Sequence, residues 1–378
     1  MRKTGLRLPL LAAVWLLSAL GGCGGTSEDM GRGGPGGSRP DSPVPGRPLR
    51  AAGPELVLVS NEDSGDITII DPATHQVVTT IPVGRRPRGI RAGPGGRMAY
   101  VALSGSPRCP PGMSDQECAQ QISDKSQDGI AEVDVIRGEV VRVLPGGSDP
   151  EQFDMTADGR RLCVSNEDTG QATIVDVLSG CVVHTVEVGA EPEGVAISPD
   201  GRLAYVTGET DHDITAVDVL SGEVLGRIGV GLRPRDVVFS SDGLRAYVSS
   251  EIDGKVTIID VPAGTVTTTI EMPQGSRSMG LALSPDDRTL YVANGRARTV
   301  CEVDLTSRQV GRCVEVGIRP WGIALSLDGS RLFTANGPSN DVTVVEVETF
   351  AVAARVAAGA GPWGVAVAPN PWLKDRGE

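Results

Sequence analysis

Seven residues of this 378-residue chain stand one place after a recurring proline or its stand-in: Arg88, Glu151, Glu193, Arg235, Met279, Trp321 and Trp363. Four are charged and could pair with one another, hold an ion or move a proton, whereas three are large and apolar and could pack or stack. A second recurring position adds the carboxylates Glu62, Glu167, Glu209 and Glu251. Other chemistries are poorly supplied. Three scattered histidines, His75, His184 and His212, cannot build a multinuclear copper centre, and the chain has neither Cys-x-x-Cys-His for covalent haem nor a Gly-x-Ser-x-Gly elbow. The aspartates that recur at Asp71, Asp134, Asp176, Asp218, Asp260 and Asp304 occupy turns and read as turn chemistry.

The elements that must position these groups follow from the same repeats. From Pro192 the chain runs through Val195-Ala196-Ile197, the turn Ser198-Pro199-Asp200-Gly201, the run Ala204 to Thr207, the run Ile214 to Asp218 and the run Val224 to Val230. These are four short alternating segments bounded by turn residues, a complete small sheet. The aspartates, continued by Glu346, recur with gaps of 63, 42, 42, 42, 44 and 42 residues. The markers Pro87, Pro150, Pro192, Pro234, Ser278, Pro320 and Pro362 keep the same register. Seven four-stranded units of this period predict an all-β, seven-bladed β-propeller. The chain starts mid-unit at Leu56 to Ser60 and ends after Gly364 to Ala368, so the C-terminal strand should pair with the N-terminal strands and close the ring.

The segments Pro-x-Gly, Ser-Pro-Asp-Gly, Tyr-Val-x-x and Val-x-x-Asp resemble the YVTN-type β-propeller repeat over residues 56–369. More narrowly, Ser60-Asn61-Glu62-Asp63, Arg86-Pro87-Arg88-Gly89, Asp149-Pro150-Glu151, Glu191-Pro192-Glu193-Gly194, Ser249-Ser250-Glu251, Asn336 to Asp341 and Pro362-Trp363-Gly364 are similar to β-propeller proteins associated with PQQ-dependent catabolism. The chain departs from them by an insertion over 105–127 and by a lipid-anchor signal. The resemblance implies a periplasmic accessory to PQQ-dependent alcohol oxidation or its transport system.

Residues 1–22 read as a lipoprotein signal peptide, with Arg2, Lys3 and Arg7 before an apolar core too short to span a bilayer and Leu20-Gly21-Gly22 before Cys23. An ordinary signal peptide with an incidental cysteine is the other reading. Lipidation of Cys23 would anchor the protein, facing the periplasm and favouring the outer membrane. Residues 23–54 are a Gly- and Pro-rich tether, 55–370 the propeller and 371–378 a tail. The formal charge is −13, and removal of the three basic leader residues makes it −16, which argues against nucleic acid and anionic lipid surfaces as partners. An exported chain with six further cysteines is expected to form disulfides. Cys301 and Cys313 sit at offsets that hold Thr68 and Thr80 in another blade, as cross-strand partners would. Cys109 and Cys118 would staple the insertion, and a bond between Cys163 and Cys181 is doubtful.

Propeller topology puts the marker loop and the loop between second and third strands on one face, around the channel mouth. Met279, Trp321 and Trp363, with Arg277 and Arg319 to hold an anion and Asn294 and Asn336 beside them, form the expected ligand-binding wall; packing between blades is the alternative for each tryptophan. Arg88, Glu151, Glu193 and Arg235 form a charged rim, and the insertion reads as a cap, a partner-docking loop or a neutral addition. The expected protein is a monomeric, non-catalytic, lipid-anchored binding or scaffold accessory with no cofactor, whose partner is a periplasmic protein or small ligand. The alternative is a metal-dependent lactonase-like hydrolase at the mouth, for which Glu193, Glu209 and Asn166 are the available donors.

Overall fold

The computed structural model of the chain describes residues 53–108 and 121–376. All of them belong to the unit Arg47–Glu378. The leader, Cys23 and most of the tether lie outside the described residues, as do Cys109 and Cys118. Among the described residues no helix is long and apolar enough to cross a membrane.

Among the described residues, twenty-eight strands form seven four-stranded antiparallel sheets, and the other elements are short 3-10 turns. The first sheet joins β28 (Pro362–Pro369) to β1 (Glu55–Asn61), β2 (Asp66–Asp71) and β3 (Gln76–Pro82). The remaining six take consecutive strands, from β4 (Ile90–Ala92) to β27 (Ala351–Ala357). The chain is thus a seven-bladed β-propeller closed by its C-terminal strand, as expected.

The period-2 alternation of the strands explains the ring. Along β1, Leu56 and Leu58 enter one apolar cluster with the second blade, while Val57 and Val59 enter another with the seventh. Each of the seven clusters fills one seam between neighbouring blades, so every sheet buries both faces. The outer strands have only one sheet neighbour and are more exposed; Val224 and Leu225 on β15 (Val224–Gly229) are 41% and 57% exposed.

The cross-strand reading of the cysteines is met. Cys301 pairs directly with Cys313, as Thr68 does with Thr80, Thr173 with Thr185 and Thr257 with Thr269. The two cysteines are bonded, with Cα atoms 4.1 Å apart. Cys163 is a buried free thiol, which burial first and Asp154 second push up to about 12, and Cys181 is disulfide-bonded.

Candidate functional site at the channel mouth

The residue before each marker position adopts left-handed backbone: φ is 44° at Arg86, 52° at Asp149, 50° at Glu191, 59° at Arg233, 56° at Arg277 and 53° at Arg319. Arg277 precedes Ser278 rather than a proline, so the turn itself, not proline sterics, imposes the conformation. Its carbonyl is what the turn delivers. Amides of the neighbouring loop donate to it, from Glu167 to Asp149 (3.2 Å), Glu209 to Glu191 (3.0 Å), Glu251 to Arg233 (2.9 Å) and Gly295 to Arg277 (2.8 Å). These bonds draw the second recurring position beside the first, which is how one blade brings two side chains together over the mouth.

On the charged side they converge in two clusters. Arg88 is buried and reaches from the second blade to Asp149 (2.6 Å), Glu151 (2.5 Å) and Glu167 (3.1 Å) of the third. Arg235 reaches from the fifth blade to Glu193 and Glu209 of the fourth, with its own Glu251 at 3.7 Å; Arg233 holds Glu209 from outside. Each cluster has more carboxyl groups than one buried arginine neutralises. Burial, against the pull of Arg88, holds Glu151 well above the usual carboxylate range, and burial against Arg235 does the same to Glu193. Burial also opposes the charge on Glu167 and Glu209, but hydrogen bonds from Glu151 and Glu193 and the nearby guanidinium groups outweigh it and lower both. In each pair the deeper carboxyl is thus shifted toward its protonated form and the outer one toward its ionised form.

On the apolar side Trp321 stacks on Trp363 with centroids 6.0 Å apart, and the Arg319 and Arg235 guanidinium carbons lie 4.4 and 5.4 Å from the Trp321 centroid. Trp363 and Met279 are buried, at 6% and 3% exposure, and Trp321 is half-buried. The glycines at the second recurring position make room for these side chains: a Cβ on Gly295 would lie 3.1 Å from Met279 Cγ, and one on Gly337 3.1 Å from Trp321 Nε1. Asn294 and Asn336 are wholly buried beneath the wall. Asn336 Nδ2 donates to Asp341 (2.6 Å) and Thr343 (2.9 Å), and Asn294 Nδ2 to Val292 O (3.3 Å), so their amides are engaged within their own blades rather than facing the mouth. Arg277 is half-buried and outside the residues that line the mouth.

Two cavities meet here. One of about 550 Å³ occupies the mouth, and one of about 490 Å³ fills the channel below. Glu193, Arg235, Trp321 and Trp363 line both, forming a waist between them. The insertion stems flank the mouth: Arg108 pairs with Asp63 of the first blade, and Lys125 with Asp168 of the third. Channel residues Asp154 and Asp236 were not singled out from the sequence. Asp154 pairs with Arg91 at 3.3 Å; Asp236, which burial pushes up to about 6, accepts from Leu281 N (2.8 Å) of the next blade. For Asp236 a signal existed two places after each marker, where Gly89, Gly194, Gly280, Gly322 and Gly364 give way to Gln152 and Asp236.

The metal donors expected for a hydrolase do not assemble. Glu193 and Glu209 are turned onto Arg235, and Asn166 is buried with its amide bonded to Gly146 O and Thr173 Oγ1. Among the described residues no group of three or more His, Cys, Asp or Glu side chains is placed to hold a metal ion.

Residues 226–350 match the family model "Lactonase, 7-bladed beta-propeller". No curated protein sequence matches the chain. Solved structures with the same fold include Kuenenia stuttgartiensis hydrazine synthase, at 21% identity and a TM-score of 0.65, covering 77% of this chain and 92% of that one. They also include putative 6-phosphogluconolactonases from Bacteroides uniformis (18% identity, TM-score 0.67, covering 83% of this chain and 100% of that one) and Bacteroides fragilis (19%, 0.64, 83% and 98%). The narrower likeness to PQQ-associated proteins finds no support in these matches. They also correct the expectation of a non-catalytic binding or scaffold accessory, because the matched family is named for a hydrolase and the hydrolytic alternative accounts for it. What the chain shares with these proteins is the seven-bladed β-propeller, and over residues 226–350, which contain Arg235, Glu251, Arg319 and Trp321, it is similar to the lactonase family.

Proposed function

We propose that the chain is a lactonase-like hydrolase that opens a cyclic ester at the channel mouth. The observation that carries this reading is the Glu193–Glu209 pair on Arg235 at the waist between two cavities, where burial shifts Glu193 toward its protonated form and its neighbours shift Glu209 toward its ionised form. The family match over 226–350 supports the reaction class. Ester hydrolysis needs a base to take a proton from water, a positive group for the carbonyl oxygen as it gains charge, and an acid for the departing alkoxide.

The three roles distribute by environment. Ionised Glu209, on the mouth side, takes the proton of the attacking water as its oxygen bonds to the carbonyl carbon. Arg235 supplies positive charge beside that carbonyl. When the tetrahedral centre collapses and the ring C–O bond breaks, Glu193 gives its proton to the leaving oxygen. The proton gained by Glu209 then passes along their hydrogen bond to Glu193, which restores the pair, while the new acid group ionises into solvent. No proton is left over.

The test is hydrolysis of a panel of γ- and δ-lactones by the full chain, followed by acid release at fixed pH. Glu209→Gln is expected to lower kcat/KM by roughly 10² to 10⁴ while Glu251→Gln, which keeps the pair intact, has a much smaller effect. A wild-type chain no faster than buffer on every lactone would end the proposal.

A further inference from the structure

Seven cationic side chains line the mouth cavity, and six of them, from Arg86 to Arg235, have a carboxylate within ion-pair distance. Arg319 has none among the described residues. This is unexpected in a chain where 48 acidic residues outnumber 35 basic ones. The guanidinium is half-buried and lies 4.4 Å from the Trp321 centroid. Stacking against an indole restricts the plane of the guanidinium without using its N–H edge, which leaves a forked donor available to the cavity. Its surroundings add to the imbalance. Burial lowers the Arg319 pKa, Arg235 and Arg233 push in the same direction, and only Glu251 opposes them. A partly desolvated cation beside other cations is stabilised by an arriving anion.

We propose that Arg319, set by Trp321, is an oxyanion-binding subsite of the mouth that receives an organic carboxylate or phosphate ester. The proposal rests on the hydrolase reading for the identity of the ligand but not for the existence of the site. Two sources supply the same chemistry: the carboxylate that ring opening creates, and an acidic substituent carried by an intact ring. In both cases Arg319 would be a specificity-determining residue, raising affinity for charged ligands, while Glu193, Glu209 and Arg235 carry the proton transfers and charge stabilisation.

The four tryptophans of the chain include Trp321, so its emission reports on occupancy of the neighbouring guanidinium. The experiment titrates the full chain with D-gluconate, an open hydroxy acid; with D-galacturonate, a ring bearing a carboxylate; and with D-glucitol, a neutral polyol. Saturable change with one or both anions and none with glucitol is expected, and which anion binds identifies the source. Arg319→Ala should weaken anion binding roughly tenfold to a hundredfold at an unchanged melting temperature, with Arg319→Lys intermediate because it keeps the charge without the fork. Equal binding of glucitol and the anions, or undiminished anion affinity in a folded Arg319→Ala chain, would overturn the subsite. Should Arg319→Ala not fold, Arg319→Lys and Arg319→Gln decide between charge and packing, and equal anion affinity in these two would also overturn it. A wild-type chain that binds anions but opens no lactone removes the hydrolase reading and keeps the subsite, whereas a lactonase whose KM for charged and neutral lactones ignores Arg319→Ala does the reverse.

Discussion

At the scale of single residues, the upward shift of Glu193 makes a prediction about stability that does not depend on the catalytic role proposed for it. Burial raises this carboxyl well above the 4.5 of a free glutamate, so between that value and its folded one the native state binds a proton that the unfolded chain releases. Such a group favours folding most below the unfolded value, and its contribution is lost as pH rises through the folded one. Glu151 and Asp236 have the same sign, whereas the lowered Glu209 contributes in the opposite direction, its stabilisation being lost as pH falls. Glutamine at 193 is isosteric with the protonated acid and cannot ionise. Glu193→Gln should therefore melt at or above the wild-type temperature at pH 8 and show a flatter decline between pH 5 and 8. Parallel melting curves across that range would mean that Glu193 does not hold the proton. The position of this residue was legible in the sequence, because a marker proline placed it on the mouth with Arg88, Glu151 and Arg235. Glu209 was legible beside it as a fellow metal donor, but their meeting on Arg235 was not. The contact depends on a left-handed turn at Glu191, φ 50°, and non-glycine residues seldom announce such turns. The space left by Gly295 and Gly337, beside Met279 and Trp321, is filled by those side chains.

At the scale of one blade, a repeated motif is left unsatisfied in the fifth blade. The residue paired with the marker position on the second strand is Asn166 in the third blade, Asn294 in the sixth and Asn336 in the seventh, and its amide ties the strand end to a threonine on the third strand, as Asn336 Nδ2 does to Thr343 Oγ1 at 2.9 Å. Asn61 does the same to Thr68 at 2.9 Å. The fifth blade has Ser250 there, opposite Pro234, and both Ser250 Oγ and Thr257 Oγ1 are buried without a partner. Glycine backs the site in both settings, Gly317 against Asn336 and Gly231 against Ser250. Ser250→Asn should thus satisfy Thr257 and stabilise the chain by about 1 kcal/mol, a rise in melting temperature of roughly 1 to 3 °C. Ser250→Ala serves as the reference, and an asparagine variant no more stable than the alanine one would refute the transfer of the motif. Elements of this kind are the most readable part of the chain. Strand positions, the Cys301–Cys313 register and the closing strand all follow from alternation and a 42-residue period, because side-chain burial in a sheet has period 2 and a slip of one residue would turn a whole strand inside out.

At the scale of the whole molecule, closure rather than any single blade should decide whether the protein folds. In an open array of repeats, loss of a terminal strand costs that strand's contacts and leaves the rest standing. A ring behaves differently. β28 is the innermost strand of the first blade, hydrogen-bonded along β1 from Glu55 opposite Pro369 to Asn61 opposite Pro362. Its side chains divide between two seams, Val365 toward the seventh blade and Ala366 and Ala368 toward the second. Further clasps cross the join, where Glu55 accepts from Leu327 N (2.7 Å) and Asn370 donates from its amide nitrogen to Pro54 O (2.8 Å) and from Nδ2 to Gly53 O (2.7 Å). Removing residues 362–378 would bare the β1 edge, strip both seams and take Trp363 from the waist of the site in one step. A chain ending at Gly361 is therefore expected to lose its cooperative melting transition and to associate through the exposed strand edge, whereas Val365→Ala, which leaves the backbone pairing intact, should keep a single transition at a lower temperature. Circular dichroism melts with size-exclusion chromatography separate the cases. A truncated chain that remained monomeric and melted cooperatively only a few degrees lower would show that the blades add up independently, as in an open solenoid, and that the pairing of chain ends is an accessory to the fold rather than its condition.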